Sequence, residues 1–455
     1  MAALAEILLN RGADITGSDT DEKFYTDDIL RQLQIPLFEG FSSTNVPRNA
    51  QLVIYSAAYN PESNPELAEA QQRGIPLMLY TEALGSLSIH ADASGIAGVH
   101  GKTTTTALTG TLVKKLCLPA TVLVGSAVAG FGGRSTFVNG DTYFIAETCE
   151  YKRHFLQFHP DRIIITSLEL DHQDYYTSYA DIESAFLEYC LSLPTGGEIF
   201  YYADSTNVVN LIEKVKKNRS DIQLTPYGFS AEGAYRITES RVQNERLVFS
   251  IAGAPKQLTL RVPGIHNVQN ATAAAALAAS LYIKETGNQP DTAFWNAAES
   301  AFDFFKGSKR RSEIIGEAGG ILFADDYGHH PTAIKSTIQG FKDFYPNRRL
   351  IVDFMSHTYS RTAALLEDFA KSLEQADEVI LHKIYASARE QYTGSITGKD
   401  LFKKVAELHP KASYFHDVED AEEYLKKNLS PGDLFLSMGA GNNWQLSHNL
   451  YSFYS

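Results

Sequence analysis

Apolar positions recur along this chain with two periods, and the alternation between them sets the expected architecture. Met1, Leu4, Ala5, Leu8 and Leu9 fall at i, i+3, i+4, i+7 and i+8, so the chain opens inside an amphipathic helix that Gly12 ends. Residues 15–17 then read as a strand with Ser18 and Asp19 just past it. Residues 52–56 read as a second buried strand, followed by the polar turn Tyr59-Asn60-Pro61. This alternation predicts a small doubly wound α/β unit. Such a unit normally starts with a strand and a glycine-rich turn, yet here the helix comes first. A sheet lacking its first central strand leaves neighbouring edges unpaired. The expectation is therefore that the polypeptide begins upstream and Met1 is internal; the alternative is a unit built without that strand.

The next apolar run, 95–98, leads into Gly98-Val99-His100-Gly101-Lys102-Thr103, and a helix-compatible stretch starts at Thr103. A strand, a glycine turn with Lys-Thr and then a helix form a phosphate-binding arrangement: backbone N–H groups and a lysine face the anion, and the threonine hydroxyl faces a magnesium ion. The first glycine lies three residues before Gly101 rather than five, so this is a shortened variant. Residues 143–147 and 162–166 read as buried parallel strands. Their carboxyl ends carry Glu147 and Glu150, then Glu169, Asp171 and His172, where chemistry in open α/β sheets gathers. Farther on, Pro263 to Asn270 leads into an alanine-rich helix over 271–280. Asn267 and Asn270 share one face at its start, which suits an adenine edge; capping of the helix by Asn267 is the local alternative.

The basic joint Lys306 to Arg311, with Gly307 in it, marks a boundary. Strands are expected near 320–324, 349–354, 377–382 and 433–437. Their ends carry Asp325, Asp326, Tyr327, Gly328, His329, His330 and Pro331; then Ser356, His357 and Arg361; then Tyr385, Arg389 and Glu390; and Gly439-Ala440-Gly441. Histidines and arginine at several strand ends point to a polar site.

Composition narrows the class. With 455 residues the chain needs several cores. A 44% hydrophobic and 21% charged composition is that of an ordinary globular protein, and −14 formal charge argues against general nucleic-acid binding. Three cysteines without metal-ligand spacing suit a reducing compartment. No apolar run reaches the roughly 20 residues of a membrane span. A cytoplasmic enzyme is expected, without nucleic-acid or membrane partners.

In order along nearly the whole chain, Gly98 to Thr103, Glu150, Asp171-His172, Pro263-Gly264, His266-Asn267, Asn270 and Asp326 to Pro331 resemble the motifs of the Mur ligase family. These are the ATP-dependent amide-bond enzymes that build the peptide of bacterial peptidoglycan. The chain departs from the family pattern at Val99, at Cys149 and Ser167 (often Asp and Asn), and at Met355-Ser356 (usually Gln-Pro). Blocks 325–331, 357–361 and 385–390 look most like the branch that joins L-alanine to UDP-N-acetylmuramate.

The resemblance implies an α/β fold of three domains. They are a Rossmann-like UDP-sugar domain over 1–91, here without its first strand; a central ATPase with a mainly parallel sheet over 92–306; and a C-terminal Rossmann-like amino-acid domain over 307–455. It implies ATP as substrate and two magnesium ions. Gly98, Val99, Gly101 and Thr104 would shape the phosphate cradle. Lys102 and Thr103 would hold phosphates and the first magnesium with Glu150, and His172 the second. His100 would lie near the ribose, Asn267 and Asn270 at the adenine, and Arg310 or Arg311 at the phosphates. Asp326, His329, His357 and Arg361 would frame the alanine, while Ser18, Asp19 and the 56–58 turn would border the UDP-sugar. The implied reaction phosphorylates the lactyl carboxylate, and the alanine amine then displaces phosphate. A monomer or homodimer is expected. Two alternatives are a recycling ligase that attaches a tripeptide to the same sugar, and a non-catalytic nucleotide or UDP-sugar binder.

Overall fold

The computed structural model describes residues 1–21, 25–172, 175–386, 394 and 396–455. The opening helix, Ala2–Asn10, buries Leu4 and Ile7. The first strand is Gly17–Asp19, two residues later than expected from apolarity. Its ladder with Leu37–Glu39 puts Ser18 and Asp19 within the strand rather than beyond it. Backbone pairing defines this short strand, and its side chains are polar. Val53–Tyr55 pairs with Leu77–Leu79, also in parallel. The two ladders are separate two-stranded sheets.

A seven-stranded sheet forms the centre. Its order is Gln223–Tyr227, Glu198–Tyr202, Arg162–Ile165, Asp92–Ala97, Tyr143–Glu147, Ala120–Val128 and Arg134–Val138, with only the last pair antiparallel. Asp92–Ala97 sits mid-sheet and is buried from Ala93 onward, as a strand covered by helices on both faces must be. The helix Lys102–Lys115 follows directly and packs against the long helix Ile265–Thr286. Residues 271 to 279 of the long helix are all buried, between Lys102–Lys115 and the sheets and helices on its other faces. The many alanines among them let the neighbouring elements lie close. A three-stranded antiparallel sheet, 237–260, lies beside them.

The C-terminal sheet has six strands in the order Glu313–Ala318, Ile321–Asp326, Asp433–Gly439, Arg349–Met355, Glu378–Leu381 and Ala412–Tyr414; all pairs are parallel except the first. Apolar cores cover both of its faces. Close backbone contacts help fasten this part of the chain to the central one. Lys309 N–H donates to Ala127 O at 2.8 Å beside a bridge between Val128 and Ser308. Gly340, in the helix Pro331–Phe344, meets Gly264 backbone to backbone: a Cβ on Gly340 would stand 2.5 Å from the Gly264 Cα.

Candidate active site

The carboxyl ends of the central strands face those of the C-terminal sheet across a cleft of about 670 Å³. Its central wall is the turn after Asp92–Ala97. Gly98 has φ +140° and Gly101 has φ +85°, both costly for a residue with a side chain. Space enforces the same choice. A Cβ on Gly98 would collide with the Thr166 hydroxyl, and one on Gly101 would sit 2.8 Å from Asn270 Oδ1. The turn is held against residues 166–167: His100 N–H donates to Ser167 Oγ at 2.7 Å, and the Thr166 hydroxyl donates to His100 O at 2.5 Å.

Lys102, the first residue of the helix, reaches back over the turn. Its ammonium donates to Gly98 O and pairs with Glu150 at 2.9 and 3.2 Å. Glu150 is 1% exposed. Burial alone would raise its pKa, but Lys102 and His172 outweigh burial and hold the carboxyl down at about 2. Lys102 is likewise pushed above its ordinary value: burial pulls it down, and Glu150 more than compensates. His172 Nε2 lies 3.4 Å from Glu150 Oε1 and its ring 4.8 Å from that of Tyr151. Thr103, 4% exposed, and Thr104 line the cleft beside the lysine.

From the opposite side come the ends of the C-terminal strands. Arg361 donates to Asp171 Oδ1 at 2.7 Å, which ties the helix Tyr359–Ala364 to the loop after Arg162–Ile165. Burial would raise the Asp171 pKa, but Arg361, then His172 and His329, hold it well below the carboxylate range. His329 Nδ1 lies 3.0 Å from Tyr327 O; a carbonyl only accepts, so Nδ1 carries the proton. Burial, reinforced by Arg361, keeps the His329 pKa well below 6.5. Its ring is therefore neutral and Nε2 presents a lone pair. The His357 ring stands 6.4 Å from that of His329, and its Nδ1 lies 3.4 Å from Arg361. His172, Ser312 and Thr358 line the cleft with φ of +53°, +45° and +68°. Strained backbone of this kind gathers at functional sites.

The local contacts of several residues singled out from the sequence narrow what each can do in the cleft. Arg310 is turned out of the cleft: it donates to Asp325 at 3.1 Å and Gly439 O at 2.7 Å, so of the two arginines Arg311 lines the cleft. Asp326 lines it, but its carboxylate accepts from Ser312 N–H and Gly328 N–H, both at 2.7 Å, and so shapes the loops. Asn267 does not cap the long helix; Gly264 occupies that position, and Asn267 donates to Pro263 O at 2.6 Å. Asn270 donates to Asn267 Oδ1 and accepts from Thr105. Both asparagines line the cleft with one amide already tied to the protein. Ser387, Ala388, Arg389 and Glu390 lie outside the described residues. Tyr202 and Gln269, joined at 2.6 Å, line the cleft and were not anticipated. Tyr202 ends a central strand, and recognising that strand would have revealed it. In the N-terminal domain Tyr59 donates to Asp19 at 3.2 Å, which brings the 56–58 turn beside Ser18 and Asp19.

Three family profiles match consecutive stretches: the Mur ligase family catalytic domain over 1–91, the Mur ligase middle domain over 96–278 and the Mur ligase glutamate ligase domain over 310–441. The chain belongs to the Mur ligase family. Among Mur ligases it is 50% identical over 454 residues to UDP-N-acetylmuramate–L-alanine ligase of Treponema pallidum, covering 100% of this chain and 94% of that one. It is 39% identical over 449 residues to the enzyme of the same name from Borreliella afzelii, covering 98% and 95%. Among solved structures, the UDP-N-acetylmuramate-alanine ligase of Thermotoga maritima superposes with a TM-score of 0.80 at 25% identity, covering 100% of this chain and 96% of that one. A murein peptide ligase from Psychrobacter arcticus shares the fold, with a TM-score of 0.65 at 22% identity, covering 99% and 95%. The three-domain Mur ligase fold expected from the sequence is the fold found. Among the described residues no helix is long and apolar enough to cross a membrane.

Proposed function

We propose that this Mur ligase joins L-alanine to the lactyl carboxylate of UDP-N-acetylmuramate at the expense of ATP, a step of peptidoglycan synthesis. The observation that carries this reading is the joint placement of Lys102, Glu150 and His172 on one wall of the cleft and His329, His357 and Arg361 on the other. A carboxylate is a poor electrophile, so it must be given a leaving group before an amine can attack. The lactyl oxygen attacks the γ-phosphorus of ATP, ADP departs, and an acyl phosphate remains. The alanine nitrogen then attacks the acyl carbon and inorganic phosphate leaves.

Each side chain has a part in this scheme. Lys102 trades its pairing with Glu150 for the phosphates of ATP, with Arg311 as a second cation; Gly98, Val99, Gly101 and Thr104 shape the cradle. His100 borders the ribose, and Asn267 and Asn270 present their remaining amide hydrogens to the adenine. The oxygen-rich pair Thr103 and Glu150 fits magnesium, which takes hard oxygen ligands, and Glu150 is already held ionised. Thr103 and Glu150 would hold a first ion, and His172 a second. When bound, magnesium neutralises phosphate charge that would otherwise repel the attacking carboxylate.

His329, neutral and with its unprotonated Nε2 4.0 Å from Asp171 Oδ2, accepts the proton that the alanine amine must lose. Arg361 offers its remaining N–H groups to the alanine carboxylate, His357 borders the same pocket, and Asp326 holds the loops that shape it. Ser18, Asp19 and the 56–58 turn border the UDP-sugar. The test is ADP release with L-alanine, glycine, serine or the tripeptide as acceptor. L-Alanine should be preferred, and release should require all three substrates. Lys102→Ala should lower turnover by about a hundred- to a thousandfold or more. Near wild-type ligation by that variant, or a preference for the tripeptide, would overturn the reading.

A further inference from the structure

His100, Glu169 and His330 form a cluster that the proposed chemistry leaves largely unused. Each comes from a different part of the fold. His100 lies in the phosphate loop, Glu169 in the loop after Arg162–Ile165, and His330 at the start of the C-terminal helix Pro331–Phe344. His100 Nε2 is 3.7 Å and His330 Nδ1 3.8 Å from the same oxygen, Glu169 Oε2. All three ligand atoms lie within 4.8 Å of one another, and the two imidazole centroids are 5.2 Å apart.

We propose that these three residues form a transition-metal site, for zinc or a cation of similar softness, that bridges the central and C-terminal domains. Around a tetrahedral zinc, ligands about 2.0–2.1 Å from the ion stand roughly 3.4 Å from each other. The two imidazole–carboxylate separations come within about half an ångström of that value, which small side-chain rotations can close. Two imidazoles and one carboxylate are the donors of an open zinc site, whereas magnesium takes oxygen. His100 Nε2 is buried and has no hydrogen-bond partner among the described residues, so its lone pair or proton is unspent. Among the described residues the hydrogen bond to His330 Nδ1 comes from Thr332 N–H at a long 3.4 Å, a weak cap that a metal would displace. Thr332 Oγ1 also donates to Glu169 Oε2 at 3.2 Å, an outer contact that orients the carboxylate as such contacts do in metal sites. His100 and Glu169 line the cleft, which gives the ion a path in. A cation held here would fasten the phosphate loop to the C-terminal helix and oppose opening of the cleft.

The site is independent of which amino acid is ligated, so its test reads metal rather than turnover. The full chain, stripped with chelator and carrying Cys117→Ser and Cys149→Ser to remove exposed thiols, is equilibrated with zinc in a large excess of magnesium. Bound zinc is then counted per chain. One equivalent should bind. His330→Asn, which keeps a capping side chain, and Glu169→Gln should each weaken binding more than tenfold. Cobalt bound in place of zinc should show the visible absorption of a nitrogen- and oxygen-ligated ion, lost in both variants. Metal-free melting curves that match the parent establish that the variants are folded. Zinc affinity unchanged by His330→Asn and Glu169→Gln, or no zinc retained by the parent, would overturn the proposal.

Discussion

At the scale of single residues, the site stands on one buried carboxylate and what surrounds it. Glu150 would cost several kcal/mol if left ionised and alone in the interior, and it is offset by Lys102 and His172. Its folded pKa of about 2 lies below the ordinary 4.5. The stabilisation it contributes is therefore fully present above the ordinary value and is lost as pH falls through about 2. Urea unfolding of the parent and Glu150→Gln across that range should show a stability gap that is constant above pH 4.5 and narrows below it. A gap independent of pH would mean that the carboxylate is not held ionised by its neighbours. Most of this residue-level machinery was legible in the sequence, because Gly-Lys-Thr and the carboxylates lie at strand ends where topology alone brings them together. Arg310 and Arg311 could not be told apart there. Which one faces the cleft depends on Asp325 and the Gly439 carbonyl, partners distant in sequence.

Among the elements, Tyr143–Glu147 and Arg162–Ile165 were readable because burial on both faces writes an uninterrupted apolar run. Ala120–Val128 and Glu198–Tyr202, interior strands of the same sheet, were not read from the sequence, nor were most of the shorter and edge strands. Glu313–Ala318 went unseen although Gly319-Gly320 between two apolar runs is a hairpin signal; both glycines hold positive φ, 58° and 77°. Gly17–Asp19 was displaced because its pairing with Leu37–Glu39, rather than its own side chains, makes it a strand. The helix Pro331–Phe344 shows how an element's position depends on one atom. Gly340→Ala would gain about 1 kcal/mol of helix propensity. It would also drive a methyl into the Gly264 backbone at 2.5 Å, and overpacking costs roughly 1–3 kcal/mol. The second effect wins because backbone cannot move aside as a side chain can. The variant should melt at a lower temperature and bind substrates more weakly; a higher melting temperature would show that the two helices part freely.

For the whole molecule, function depends on two sheets presenting their carboxyl ends to each other. This arrangement was not legible in the sequence, since no local pattern reports how domains face. Arg361 and Asp171, 12% and 6% exposed, join the two sides directly. Asp171→Asn should therefore loosen this contact and enlarge the radius of gyration of the chain in X-ray scattering. Scattering identical to the parent would mean that other contacts set the closure. The chemistry that this closure serves has one direct reporter. With heavy oxygen in the lactyl carboxylate of UDP-N-acetylmuramate, an acyl-phosphate route transfers one labelled oxygen to the released inorganic phosphate for every alanine joined. Phosphate free of label, with the displaced lactyl oxygen recovered in water instead, would contradict the account.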